Sequence, residues 1–107
     1  MWLDCPYLGG GVELTDERSA HIASRHPEVW PQYLDHLAKT VADPDEVRID
    51  ADYARTRLFL RWFGDLLGGK MVVVAIVSQP PPETRHWVVT ALASSRAPLG
   101  DVEWKRH

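Results

Sequence analysis

The segment Thr15-Asp-Glu-Arg-Ser-Ala-His-Ile-Ala-Ser-Arg-His-Pro-Glu28 decides how the rest of the chain is read. Thr15 is a good N-cap, because its hydroxyl oxygen can accept a hydrogen bond from a first-turn amide. Asp16 and Glu17 follow where the positive end of a helix dipole favours carboxylates. Pro27 forces its predecessor out of the helical region, so the helix should end at or near His26. At about 100° per residue, Arg18, His21 and Arg25 share one ridge, with Ile22 and His26 on the next. His26 therefore points nearer the core than His21.

Working outward, a second helix is expected from about Pro31, a favoured first-turn residue, to Ala42. Tyr33, Leu34, Leu37 and Val41 form its apolar stripe, with Trp30 a candidate extension, and Asp43-Pro44-Asp45 stops it. The remainder reads as strand. Glu46 to Asp50 is a short candidate. Thr56 to Phe63 alternates, with Leu58, Leu60 and Trp62 on one face and Arg57, Phe59, Arg61 and Phe63 on the other. Met71 to Val77 is continuously apolar, as a central strand covered on both sides would be. Arg85 to Ser94 is the fourth strand, placing His86, Val88, Thr90, Leu92 and Ser94 together on one face. Val102 to Trp104 offers a short added edge. Gln79-Pro-Pro-Pro-Glu83 is a stiff loop, since proline cannot donate to a ladder. Residues 1–11, with Pro6 and Gly9-Gly10-Gly11, read as a loose leader. The expectation is an α+β domain spanning 1–107, with two N-terminal helices on one face of an antiparallel sheet of about four strands.

Composition narrows the class. A chain of 107 residues with 45% apolar and 25% charged content can bury one core. Its net charge of −3 argues against bulk attraction to nucleic acid, though not against a local basic patch. Five tryptophans suit cores and interfaces before they suit base stacking. A lone Cys5 fits a reducing compartment, and the start lacks the pattern of a signal peptide. No apolar run approaches the roughly 20 residues of a membrane span. The expected location is the cytoplasm.

Metal-independent RNA cleavage needs a base for the 2′-hydroxyl, cations for the developing phosphorane charge, and an acid for the leaving oxygen. The chain offers His21, Arg25 and His26 on the first helix, Arg57 and Arg61 on one strand, Lys70, and His86 with Thr90 on another. Each also has an ordinary explanation. A helix ridge of this kind suits a solvated face, and His26 suits a partly buried side chain near Pro27. Arginines alternating with Phe59 and Phe63 suit phosphate and base contacts, but equally a sheet face half covered by helices or by a partner. Metal chemistry is poorly served. His21 and His26 stand about 140° apart around a helix, unlike the i, i+4 pair of a zinc helix. No cofactor is implied.

A resemblance adds to this reading. Val12-Glu-Leu-Thr-Asp-Glu-Arg18 and His21-Ile-Ala-Ser-Arg-His-Pro-Glu28 resemble the opening of the phage-associated barnase/EndoU/colicin/RelE-like nuclease-fold domains. Tyr33-Leu34, Val41-Ala-Asp-Pro-Asp-Glu-Val47, Gly69-Lys70, Val89-Thr90-Ala91 and Gly100-Asp-Val-Glu-Trp-Lys105 follow in order. The resemblance implies metal-independent RNA cleavage in a phage-borne or toxin–antitoxin setting, with RNA as substrate and an inhibitory protein as partner. It implies His21, Arg25 and His26 as helix-borne site residues, Lys70 as a strand-borne cation and Thr90 as the hydroxyl. Arg57 and Arg61 join them as phosphate-binding residues on the face argument alone. Ser19, where such helices often carry a bulky aromatic, and the Pro80-Pro81-Pro82 loop depart from the pattern. The competing reading is a non-catalytic protein-binding module on the same fold, a homodimer through tryptophan-rich surfaces among its forms. It predicts the basic groups scattered, or locked in ion pairs with Asp and Glu.

Overall fold

A computed structural model describes residues 1–27 and 32–107. In chain order the elements are β1 (Trp2–Cys5), β2 (Gly10–Glu13), α1 (Asp16–Arg25), α2 (Leu34–Ala42), β3 (Glu46–Asp50), β4 (Thr56–Phe63), β5 (Lys70–Gln79), β6 (Arg85–Ser94) and β7 (Gly100–Lys105). The strands form one seven-stranded sheet in the order β1-β2-β6-β5-β4-β3-β7. Neighbours run antiparallel except β2 and β6, which meet in parallel at Glu13 and Trp87.

The architecture is α+β as expected, but the sheet is larger, mixed in direction, and not preceded by the helices. The difference lies mainly in residues 1–11. Instead of a loose leader they make an antiparallel hairpin, in which Leu3 pairs with Val12 and Cys5 with Gly10. A 3-10 turn, Pro6–Leu8, joins the strands and ends at Gly9 with φ +79°, a left-handed conformation that suits glycine. Leu3, Cys5 and Val12 are buried in the main core, so the hairpin has an apolar face like any other strand pair.

α1 starts as its sequence dictates, with the Thr15 side chain accepting from the Arg18 amide at 3.2 Å. It ends at His26, whose own amide bonds the Ile22 carbonyl. α2 is described from Leu34. The expected start at Pro31, and Trp30 with it, lie outside the described residues. Ile22 from α1 and Leu37 and Val41 from α2 bury against Phe59, Val74 and Ile76 of the sheet, so both helices cover the same face. β5 is central in the sheet, but only one of its faces meets the helices. On the other, Leu58, Leu60 and Val73 form a smaller cluster, with Met71, Ala75 and Leu92 around it.

Two irregularities re-aim side chains. In β6, Ala75 pairs with Thr90 but Ile76 pairs with Val88, so Val89 is an extra residue. In β7, Val47 pairs with Trp104 but Arg48 pairs with Val102, leaving Glu103 unmatched. An inserted residue of this kind bends the strand and reverses the face alternation beyond it. The single face expected for His86, Val88, Thr90, Leu92 and Ser94 is therefore split. Val88 lies in the helix-side core with Ala91, whereas Thr90 shares its side with Ala75 and Leu58.

Candidate functional site

Arg57 is the second residue of β4 and pairs with Ile76, a helix-side core residue, which fixes its side chain on that face. Here the sheet runs out beyond the helices. The end of β5, the proline loop and the start of β6 leave an open cleft of about 360 Å³, lined by Arg55, Arg57, Ser78, Gln79, Thr84 and His86 with Pro80 and Pro81. His86 Nδ1 and Ser78 Oγ lie 2.7 Å apart across the β5–β6 pair. Burial lowers the His86 pKa, and the nearby Arg57 charge lowers it further, so both favour the neutral ring.

Behind the cleft wall, Arg57 Nε donates to Glu103 Oε1 at 2.7 Å, and the Tyr7 hydroxyl donates to the same oxygen at 2.6 Å. The inserted residue in β7 is what turns Glu103 toward them, side by side with Trp104. Tyr7 is fixed in turn by an edge-on contact with Phe59 and a tilted one with Trp104. Burial and the Glu103 hydrogen bond push the Tyr7 phenol up to about 12. Burial would raise the Glu103 carboxyl, but the hydrogen bonds from Arg57 and Tyr7 and the Arg57 charge outweigh it and lower its pKa. The cleft thus presents two guanidiniums, a neutral imidazole and hydroxyls. Such a donor set suits an anion with transferable protons nearby, as in a phosphodiester flanked by hydroxyls.

Of the residues offered by the sequence, only Arg57 and His86 line this cleft. Arg61, four residues along β4 and about 13 Å further on, reaches the Asp43 carbonyl at 3.0 Å and its carboxylate at 3.4 Å, and lies 5.3 Å over the Phe63 ring. Lys70 pairs with Phe63 at that same far end. It stands eight residues before Ser78, about 26 Å along the strand. Thr90 lines a separate cavity on the opposite face, with Thr56, Ala75 and Val77. On α1, His21 and His26 are half-buried and Arg25 is exposed, and none of them lines the Arg57 cleft. Arg57 and Arg61 flank Phe59 and Phe63, which are buried under the helices, so that face is the half-covered one rather than an open basic surface.

Sequence reasoning did not single out Tyr7, Ser78 or Glu103, and it offered His86 among the candidate groups without assigning it a particular role. Tyr7 was hidden in a glycine- and proline-rich segment. Glu103 was one residue of a short edge strand, with nothing in the local pattern to mark the inserted position. His86 carried a usable signal: with Arg57 and Ser78 it sits at the ends of three consecutive strands that two turns bring together.

Among the described residues, no group of three or more His, Cys, Asp or Glu side chains is placed to hold a metal ion, and no helix is long and apolar enough to cross a membrane. No curated protein and no solved structure matches the chain. One family does, over residues 6–100, from the turn that carries Tyr7 to the start of β7. The chain belongs to the phage-Barnase-EndoU-ColicinE5/D-RelE like nuclease2 family.

Proposed function

We propose that this chain is a metal-independent endoribonuclease, phage-derived or toxin-like and restrained by an inhibitory protein, and that its reaction centre is the Arg57–His86 cleft. The observation that carries the reading is one anion-suited cleft with a neutral histidine, on a chain of a nuclease-like family. His86 is the general base for the 2′-hydroxyl. For Nε2 to take that proton, Nδ1 must carry its own and donate it to Ser78 Oγ, which also orients the ring. Attack of the 2′-oxygen on phosphorus forms a cyclic phosphodiester and breaks the bond to the 5′-oxygen, which takes its proton from solvent in the open cleft while His86 keeps the 2′-hydroxyl proton. Arg57 and Arg55 stabilise the equatorial charge as it builds. Glu103 and Tyr7 hold Arg57 in place behind the wall.

His21, Arg25 and His26 form the competing acid–base set implied by the family resemblance, with Lys70 and Thr90 as its outlying members and Arg61 added on the face argument. Cleavage of total RNA and tRNA in EDTA separates the two. His86→Ala should lower the rate about 10²- to 10⁴-fold, while the His21→Ala/His26→Ala double variant keeps it. The reverse pattern, with both proteins folded by circular dichroism, moves the reaction centre to α1.

A second reading, a non-catalytic protein-binding module, has its own support. Arg57 is tied to Glu103 and Arg61 to Asp43, so carboxylates already answer these cations. Absence of cleavage by the wild-type protein at high concentration and low salt would favour that reading over the enzyme.

A further inference from the structure

The cavity that holds Thr90 has no part in the chemistry above. It measures about 420 Å³, within the ordinary range for small-molecule sites, and opens on the sheet face away from the helices. Ala75, Val77 and Val89 give it an apolar wall, and Asp50, Thr56 and Thr90 supply polar groups. Tyr53 lines it with 69% of its surface exposed, and among the described residues no aromatic ring packs on it. The turn that presents Tyr53 is braced: Asp50 Oδ1 accepts from the Asp52 and Tyr53 amides at 2.8 and 3.1 Å. The Thr90 Oγ1 is shielded from solvent and has no hydrogen-bond partner among the described residues. A buried hydroxyl without a partner is disfavoured, and a χ1 rotation is the local change that brings it to a ligand at the wall.

We infer that this cavity is a nucleobase subsite, in which a heteroaromatic ring stacks on Tyr53, lies against Val77 and Val89, and engages Thr90 and Asp50 through its polar edge. A flat ligand with two apolar faces and a hydrogen-bonding rim answers all three features. The position supports the same occupant. Tyr53 and Thr56 belong to the cavity while Arg55 and Arg57 belong to the cleft, so the two sites lie back to back at one end of β4. A strand whose phosphate sits on Arg57 can pass round the β3–β4 turn and place a neighbouring base beyond it. The choice of a nucleobase rests on the proposed nuclease reading; the cavity does not.

The test uses the four nucleosides, which carry neither phosphate nor scissile bond, titrated to millimolar concentration into the full chain and followed by amide NMR. The expected result is that at least one nucleoside shifts Tyr53, Val89 and Thr90 together, and that Tyr53→Ala and Thr90→Val each weaken binding at least several-fold. Thr90→Val keeps the side-chain shape and removes only the unpartnered hydroxyl, so it tests binding in a folded protein. Shifts confined to the Arg57–His86 cleft, or none at all, would overturn the subsite whatever the cleavage assay shows. Nucleoside binding at Thr90 by a protein that cleaves nothing would leave the subsite standing and remove only the nuclease.

Discussion

Glu103 carries two hydrogen bonds on one oxygen, and the charges and protons around it set how the molecule answers pH. The Tyr7 phenol is raised to about 12 in the folded protein from an ordinary 10. A group raised on folding stabilises the protein below its unfolded value, and that contribution disappears as pH climbs through the folded one. Alkaline titration should therefore find one tyrosine ionising about two units late by ultraviolet absorbance. Stability should fall between about pH 10 and 12, and Tyr7→Phe should flatten that limb. His86 and Glu103 have the opposite sign. Both are lowered in the fold, so each stabilises above its ordinary value, and that stability is lost as pH falls through the histidine and then the carboxylate range. Under the proposed mechanism, the acid limb of the pH–rate profile should lie below the usual histidine value and shift upward in Arg57→Gln.

The sequence was most legible at the level of the element, where periodicity acts over many residues. β4 and β6 carry the bounds expected of them, Thr56–Phe63 and Arg85–Ser94, because alternation over eight to ten residues leaves little freedom. The Thr15 cap and the stop at His26 were equally plain, since each rests on one residue's stereochemistry. The β1–β2 hairpin was not. Each strand has four residues, Gly10 and Gly11 blur the alternation, and the partner of β1 lies across a glycine turn. The inserted residues at Val89 and Glu103 were invisible for a different reason. Nothing in their side chains announces them, and each overturns the face assignment on one side of itself. That is why Thr90 was grouped with His86, and why Glu103 was missed. β7 also depends on a backbone position that only glycine fills. Gly100 has φ +144°, and a Cβ there would stand 2.2 Å from the Ile49 carbonyl oxygen. Gly100→Ala should destabilise the fold by roughly 1–3 kcal/mol or more in urea unfolding. Displacing β7 should also release Glu103, returning the Tyr7 titration toward its ordinary value.

For the whole molecule, the governing number is a net charge of −3. Among the described residues several cations are paired: Arg85 with Glu13 on β2, Arg48 with Glu46 on β3, and Arg106 with Asp43. Under the proposed mechanism the phosphate contacts come from the two arginines of the cleft, Arg55 and Arg57. Its binding to single-stranded RNA should therefore weaken only gently with salt. Two phosphate contacts give a slope of about −1.4 in log K against log salt. Fluorescence anisotropy with a short labelled strand measures this directly, and a slope several times steeper would mean a much broader basic footprint.

The hydrogen bond from Tyr7 to Glu103 joins positions separated by 96 residues. A ribosome builds the chain from the tyrosine end, so Glu103 is delivered 96 residues after Tyr7. Whatever the cleft does, its Arg57 cannot be held by Glu103 until β7 has left the machine that made it. The arrangement works as a timer: β1 to β6 can be present and paired while the cleft is still unfinished, and β7 completes it.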